Sequence, residues 1–117
     1  MDEITLRLRK AEKLVKDAEK EFRMGFTAYY AMFHAAKALI LSINEDVRTH
    51  RGTIYAVWKN KDRLGLSEDD CSKLSRAFDL REESDYGIFR QISKDEAENV
   101  LKDAKDFVEK AKKILKV

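Results

Sequence analysis

The side chains best suited to chemistry fall in three short runs, and the first is Ala77-Phe-Asp-Leu-Arg-Glu-Glu-Ser-Asp-Tyr86. Leu74, Phe78, Arg81 and Asp85 follow one another at spacings of four, three and four. Arg81 and Asp85 therefore continue a helical stripe that begins apolar. A guanidinium on such a stripe must be paired or must face a wet cleft, because an unpaired charge taken out of water is too costly. Its planar fork suits a carboxylate or a phosphate. Two readings stay open: an Arg81–Asp85 or Arg81–Glu pair locking the helix end, or a site for an anion.

The second run is Tyr29-Tyr-Ala-Met-Phe-His-Ala-Ala36, where Tyr30 and His34 stand one helical turn apart on the same side. A histidine there could shuttle protons near neutral pH, or it is a hydrogen-bonded residue of the core or of an interface. The third is His50-Arg51-Gly52. It falls where a helix begins, and the free backbone N–H groups of a helix start favour an anion. His50 is otherwise a polar residue at a helix end. The sequence contains no glycine-rich phosphate loop, no Gly-x-Ser-x-Gly elbow and no Cys/His cluster with zinc spacing. No metal or cofactor is expected. Cys71 lies on an inward stripe and reads as a small core residue rather than a nucleophile.

Five helices must position these groups. The first is expected from about Glu3 to Phe22, with Ile4, Leu8, Ala11, Val15, Ala18 and Phe22 on one stripe and Arg7, Lys10, Lys13 and Glu19 largely outside it. Met24-Gly25 ends that helix or bends the chain into the next. The second, Phe26 to Asn44, is apolar nearly all round and must be covered on most sides. Part of it is therefore expected in a subunit interface, with a homodimer as the simplest closed arrangement. A polar loop, Asn44 to Thr49, leads to a third helix carrying Ile54, Val57, Trp58 and Leu64 and closed by Gly65. Ser67-Glu-Asp-Asp70 offers a cap for the fourth, which runs to about Asp85 before Gly87 lets the chain turn. Ser93-Lys-Asp-Glu96 is a second capping box, opening a fifth helix whose apolar residues keep the helical period from Ala97 to Leu115. No strand-like alternation competes. The fold class expected is all-α, an antiparallel bundle of four to five helices in one domain spanning residues 1–117.

Composition bounds the rest. A chain of 117 residues holds one core, and 44% hydrophobic residues suffice to build it. Lys and Arg number 24 against 22 Asp and Glu, so any nucleic-acid site must be local rather than a global basic footprint. Cys71 is the single cysteine, which rules out an internal disulfide and fits a reducing compartment. The start, Met-Asp-Glu-Ile-Thr, lacks the basic and apolar regions of a signal peptide. The apolar stretch from Phe26 to Ile43 is broken by His34, Lys37 and Ser42 and reads as a buried helix rather than a membrane span. A cytoplasmic location is expected. Proline is absent and glutamine occurs once, which with abundant Lys and Glu points to a thermophilic source.

Taken together, Tyr29 to Ala36, His50-Arg-Gly52, Ala77 to Gly87 and the Ile92 to Ala97 start of the last helix resemble the HEPN family. The resemblance covers nearly the whole chain. It is nearest to the small stand-alone prokaryotic branch often found beside a minimal nucleotidyltransferase. It implies a helical bundle, usually dimeric, with a cleft at the dimer interface. Many members are metal-independent ribonucleases of toxin or defence systems. Their motif is an arginine followed, after four to six residues, by a histidine. In such a site one group takes the proton of the RNA 2′-hydroxyl while the guanidinium stabilises charge on the phosphate. Here Arg81 matches the arginine, but Tyr86 stands where histidine is expected, and a phenol with a pKa near 10 is a poor base. Three readings follow. In the first, a dimer binds nucleotide or RNA through Arg81, Asp85, Tyr86, Tyr30, His34, His50 and Arg51 and pairs with a nucleotidyltransferase, for which Tyr86 is a candidate acceptor. In the second, the chain is a ribonuclease using Arg81, Tyr86 and a histidine supplied by folding, His34 or His50. In the third, it is a structural bundle without a ligand.

Overall fold

The second of the expected helices forms the axis about which the others are arranged. The computed structural model of the chain describes residues 2–20, 24–86 and 93–117, and of positions 20, 24–26 and 83–86 the backbone alone. Within these lie six helices: α1 (Glu3–Lys20), α2 (Met24–Ser42), α3 (His50–Lys59), α4 (Lys61–Leu64), α5 (Glu68–Tyr86) and α6 (Lys94–Leu115). No strand occurs among the described residues. No helix among them is long and apolar enough to cross a membrane.

Ala28, Tyr29, Ala31, Met32, Ala35, Ala36, Ala38, Leu39 and Ile40 of α2 are fully buried, and Phe33 is nearly so. α1 and α6 cover the helix most extensively, and α3 and α5 close much of the rest. Such enclosure by a single chain corrects the expectation that part of α2 needs a second subunit to cover it. Small residues explain how one small domain manages it. The alanines let neighbouring helices approach closely, so few are needed to surround the axis. Met24 and Gly25, expected to end the first helix or to bend the chain into the next, belong to the first turn of α2.

Ion pairs reveal the helix directions. Glu12 and Glu19 of α1 meet Lys112 and Lys105 of α6, later residues of one against earlier residues of the other. Lys73 and Arg76 of α5 meet Asp106 and Asp103 in the same inverted order. Across α3 and α5, Arg51 pairs with Glu82 and Trp58 Nε1 donates to Ser75 Oγ at 2.8 Å. Each of these pairs of helices is antiparallel. Exposed pairs of this kind contribute little singly. Lys110 also reaches Asp70, whose carboxylate accepts the Ser67 N–H at 2.9 Å while its own N–H donates to Ser67 Oγ at 3.1 Å. The expected cap of α5 thus forms reciprocally, as does the Ser93–Glu96 box of α6.

The single third helix expected up to Leu64 is broken. Asn60 takes φ −105° and ψ 14°, and its side-chain amide donates to Glu45 Oε2 at 3.0 Å and to the Ala56 carbonyl at 2.9 Å. These bonds compete with helix continuation, so a separate turn, α4, follows. Gly65 closes it in the left-handed region at φ 78°. The expected turn at Gly87 lies outside the described residues.

Candidate functional site

The site begins with a buried lysine. Lys37 on α2 is almost wholly enclosed, and its ammonium donates to Asp46 Oδ1 at 2.8 Å and to the Val47 carbonyl. This clamp draws the loop after α2 back onto the helix. Thr49 then takes an extended conformation and caps α3, its Oγ1 accepting from the Gly52 N–H at 3.0 Å. A Cβ at position 52 would lie 2.6 Å from both Thr49 Oγ1 and Val47 Cγ1, so the turn requires glycine. The Gly52 N–H, one of the donors that an anion at the helix start would use, is thereby already engaged.

Held this way, His50 lies flat on Phe33, ring centroids 4.0 Å apart and planes within 6°. It meets Tyr30 edge-on at 5.8 Å. Its Nδ1 is 2.8 Å from the hydroxyl of Tyr29. Burial pushes the Tyr29 phenol well above its usual pKa, so the hydroxyl keeps its proton. Burial, reinforced by the positive charge of Arg81, lowers the pKa of His50, and Glu82 opposes the shift. The imidazole is therefore neutral at pH 7. When Nδ1 carries the proton and donates to Tyr29 Oη, Nε2 has a lone pair able to accept a proton.

Arg81 reaches this cluster from α5. Its Nη2 donates to Tyr30 Oη at 3.0 Å, and its guanidinium carbon is 5.5 Å from the Tyr30 ring centre. Arg51 lies over Phe78 at 5.6 Å and is 3.9 Å from Glu82 Oε2, with four-fifths of its side chain in solvent. Glu82 thus faces Arg51. Asp85 and Tyr86 fall in the last turn of α5, and their side chains lie outside the described residues.

His34 belongs to the other flank. Its Nδ1 is 2.9 Å from Arg7 Nη1. Since arginine stays protonated, the imidazole accepts, and its proton resides on Nε2. Burial, followed by the charges of Arg7, Lys10 and His50, lowers its pKa to about 4. Four of the seven residues singled out in the sequence, Tyr30, His50, Arg51 and Arg81, therefore stand on one surface with linked contacts. His34 joins it from the α1 side through Phe33, 5.5 Å away edge-to-face.

Arg7, Tyr29, Phe33, Phe78 and Glu82 complete the site without having been singled out. For Arg7 a signal existed: Leu14, seven residues on and so at nearly the same helix azimuth, packs against the core. Arg7 thus lies at the edge of the apolar stripe rather than outside it. Tyr29 and Phe33 are four apart and share the His50 side of α2, but an aromatic pair on an apolar helix is indistinguishable from core by spacing.

An α-helical bundle with a cationic, aromatic surface where the second, third and fifth helices meet is the class these observations define. A family model described as HEPN domain matches residues 4–115, and the chain belongs to the HEPN family. It is 66% identical to a protein of Archaeoglobus fulgidus named UPF0332 protein, over 96% of this chain and 94% of the relative. It is 34% identical to "Putative toxin MJ0605" of Methanocaldococcus jannaschii, over 76% of this chain and 66% of that protein. A second M. jannaschii protein, "Putative toxin MJ0142", is 29% identical over 92% of this chain and 78% of its own length.

Proposed function

We propose that this chain is the toxin-like component of a two-component module, acting as a homodimer with a nucleotidyltransferase as its partner and binding nucleotide or RNA at the Arg81 surface. The names of the two M. jannaschii relatives support the module. The observation that carries the binding site is the linked set Arg81–Tyr30–His50–Tyr29, with Arg51 at its rim. A guanidinium beside flat aromatic faces offers a phosphate its fork and a base a surface to stack on.

One observation also favours the ribonuclease reading. The motif position holds Tyr86, yet His50 enters the site from α3 and is neutral there. It can take the proton of a 2′-hydroxyl while Arg81 stabilises the negative charge gathering on the phosphate.

Incubation of RNA with the purified chain in EDTA, wild type beside Arg81→Ala and His50→Ala, tests both. Cleavage lost by about 100-fold or more in each variant establishes the nuclease. If the wild type binds RNA without cleaving it and Arg81→Ala abolishes binding, the binding role stands alone. An absence of binding and of cleavage would overturn the reading of this surface.

A further inference from the structure

The outer face of α3 carries a feature the site just described does not use. Tyr55 is 69% exposed, and it makes no hydrogen bond or ring contact with the described residues. It stands between Arg51 and Lys59, one helical turn from each, and both are exposed. From Arg51 to Lys59 the stripe spans ~12 Å along the helix. Residues 47–61 contain Arg48, Arg51, Lys59 and Lys61 and no acidic residue, in a chain with 22 of them. Carboxylates bordering this run are engaged, Glu82 with Arg51, Glu45 with Asn60 and Asp62 with Lys61. Trp58, the other large aromatic of this helix, points inward to Ser75.

A large ring left in water between two cations needs an explanation, because Tyr55 contributes nothing to the core. We infer that this stripe is the track along which a single-stranded RNA leaves the Arg81 surface, with one base stacked on Tyr55 and flanking phosphates on Arg51 and Lys59. The inference rests on the reading under Proposed function and adds where the strand runs. Arg51 joins the two regions, since the same side chain covers Phe78 beside the site and opens the stripe. Charge selects the occupant: an anionic strand complements the run of cations. A second copy seated face to face would set Arg51 and Lys59 against like charges. A base has a flat face for the phenol ring whatever its identity, so the track tolerates any sequence.

Fluorescence polarisation with a short labelled oligouridine tests this, using the full chain and its variants. Tyr55→Ala is expected to weaken binding about 5- to 100-fold. Tyr55→Phe, which keeps the ring, retains binding near wild type. Lys59→Ala weakens it and makes its logarithmic salt dependence shallower by about 0.7. Since Tyr55 is exposed, the melting temperature of each variant should match wild type. Binding by Tyr55→Ala equal to wild type, while Arg81→Ala binds poorly, overturns the track and leaves the site intact. Equal weakening by Phe and Ala would overturn stacking. A change of mass in light scattering by Tyr55→Ala with RNA binding retained would assign the stripe to a second copy instead. If the wild type binds no RNA, both this inference and the reading it rests on fail.

Discussion

His34 and Arg7 show how two side chains set each other's chemistry. Burial and the neighbouring guanidinium hold the His34 pKa at about 4 against an ordinary 6.5. The sign of the pH effect follows directly. Between those two values the unfolded chain binds a proton that the folded chain refuses, so stability rises with pH across this window and is fully present above 6.5. Loss on acidification to pH 4 should amount to about 1–2 kcal/mol, given that water still reaches part of the ring. Urea unfolding at several pH values measures it, and Arg7→Met should raise the His34 pKa and flatten the dependence. At His50 the corresponding prediction is that Arg81→Met raises the imidazole pKa, because one of the two forces lowering it is that charge. Imidazole carbon shifts followed by NMR titration would read both changes.

Among the elements, the turn into α3 and the start of α6 depend on local chemistry. Ser93 and Glu96 satisfy each other's backbone N–H groups, and Ser93→Ala should cost about 1 kcal/mol of stability in urea unfolding. Gly52→Ala should cost more, about 1–3 kcal/mol, since its Cβ would press on the Val47 and Thr49 side chains. The Ser67–Asp70 cap of α5 and the Ser93–Glu96 box of α6 were legible because each is a pattern of four consecutive residues, whereas the Thr49 cap of α3 was legible only as the end of a loop. The break at Asn60 was not legible. The side chain that holds it there reaches back to Glu45 in the loop before α3, a contact between residues fifteen apart that no local pattern encodes. The apolar residues from Ile54 to Leu64 keep a helical spacing straight through it.

For the whole molecule, the burial of α2 changes what association has to accomplish. An obligate dimer whose core is shared melts at a temperature that depends on protomer concentration. Here the axis is covered within one chain, so the melting temperature should vary little over a hundredfold dilution even where copies associate. Calorimetry at two concentrations beside light scattering checks this. A strong dependence would mean that folding and association are coupled. With α2 covered within one chain, a second copy is not needed to complete the core.

The sequence by itself determined the all-helical class, most helix ends apart from the break at Asn60, the buried stripes of α1, α5 and α6, and the core placement of Cys71. All of these follow from backbone hydrogen bonding and from the period of apolar residues within one segment. It also marked Arg81, Tyr30, His50 and Arg51 as candidates by type and position. Only the tertiary structure decided their partners. His34 turned to Arg7 rather than to Tyr30's partner, and His50 settled on Phe33 and Tyr29. Glu82 faced Arg51 across two helices. The physical reason is geometric. Periodicity states which face of a helix is inward, whereas the polar residue at the edge of that face meets whatever the neighbouring helix presents, and that depends on the angle and register at which the two pack.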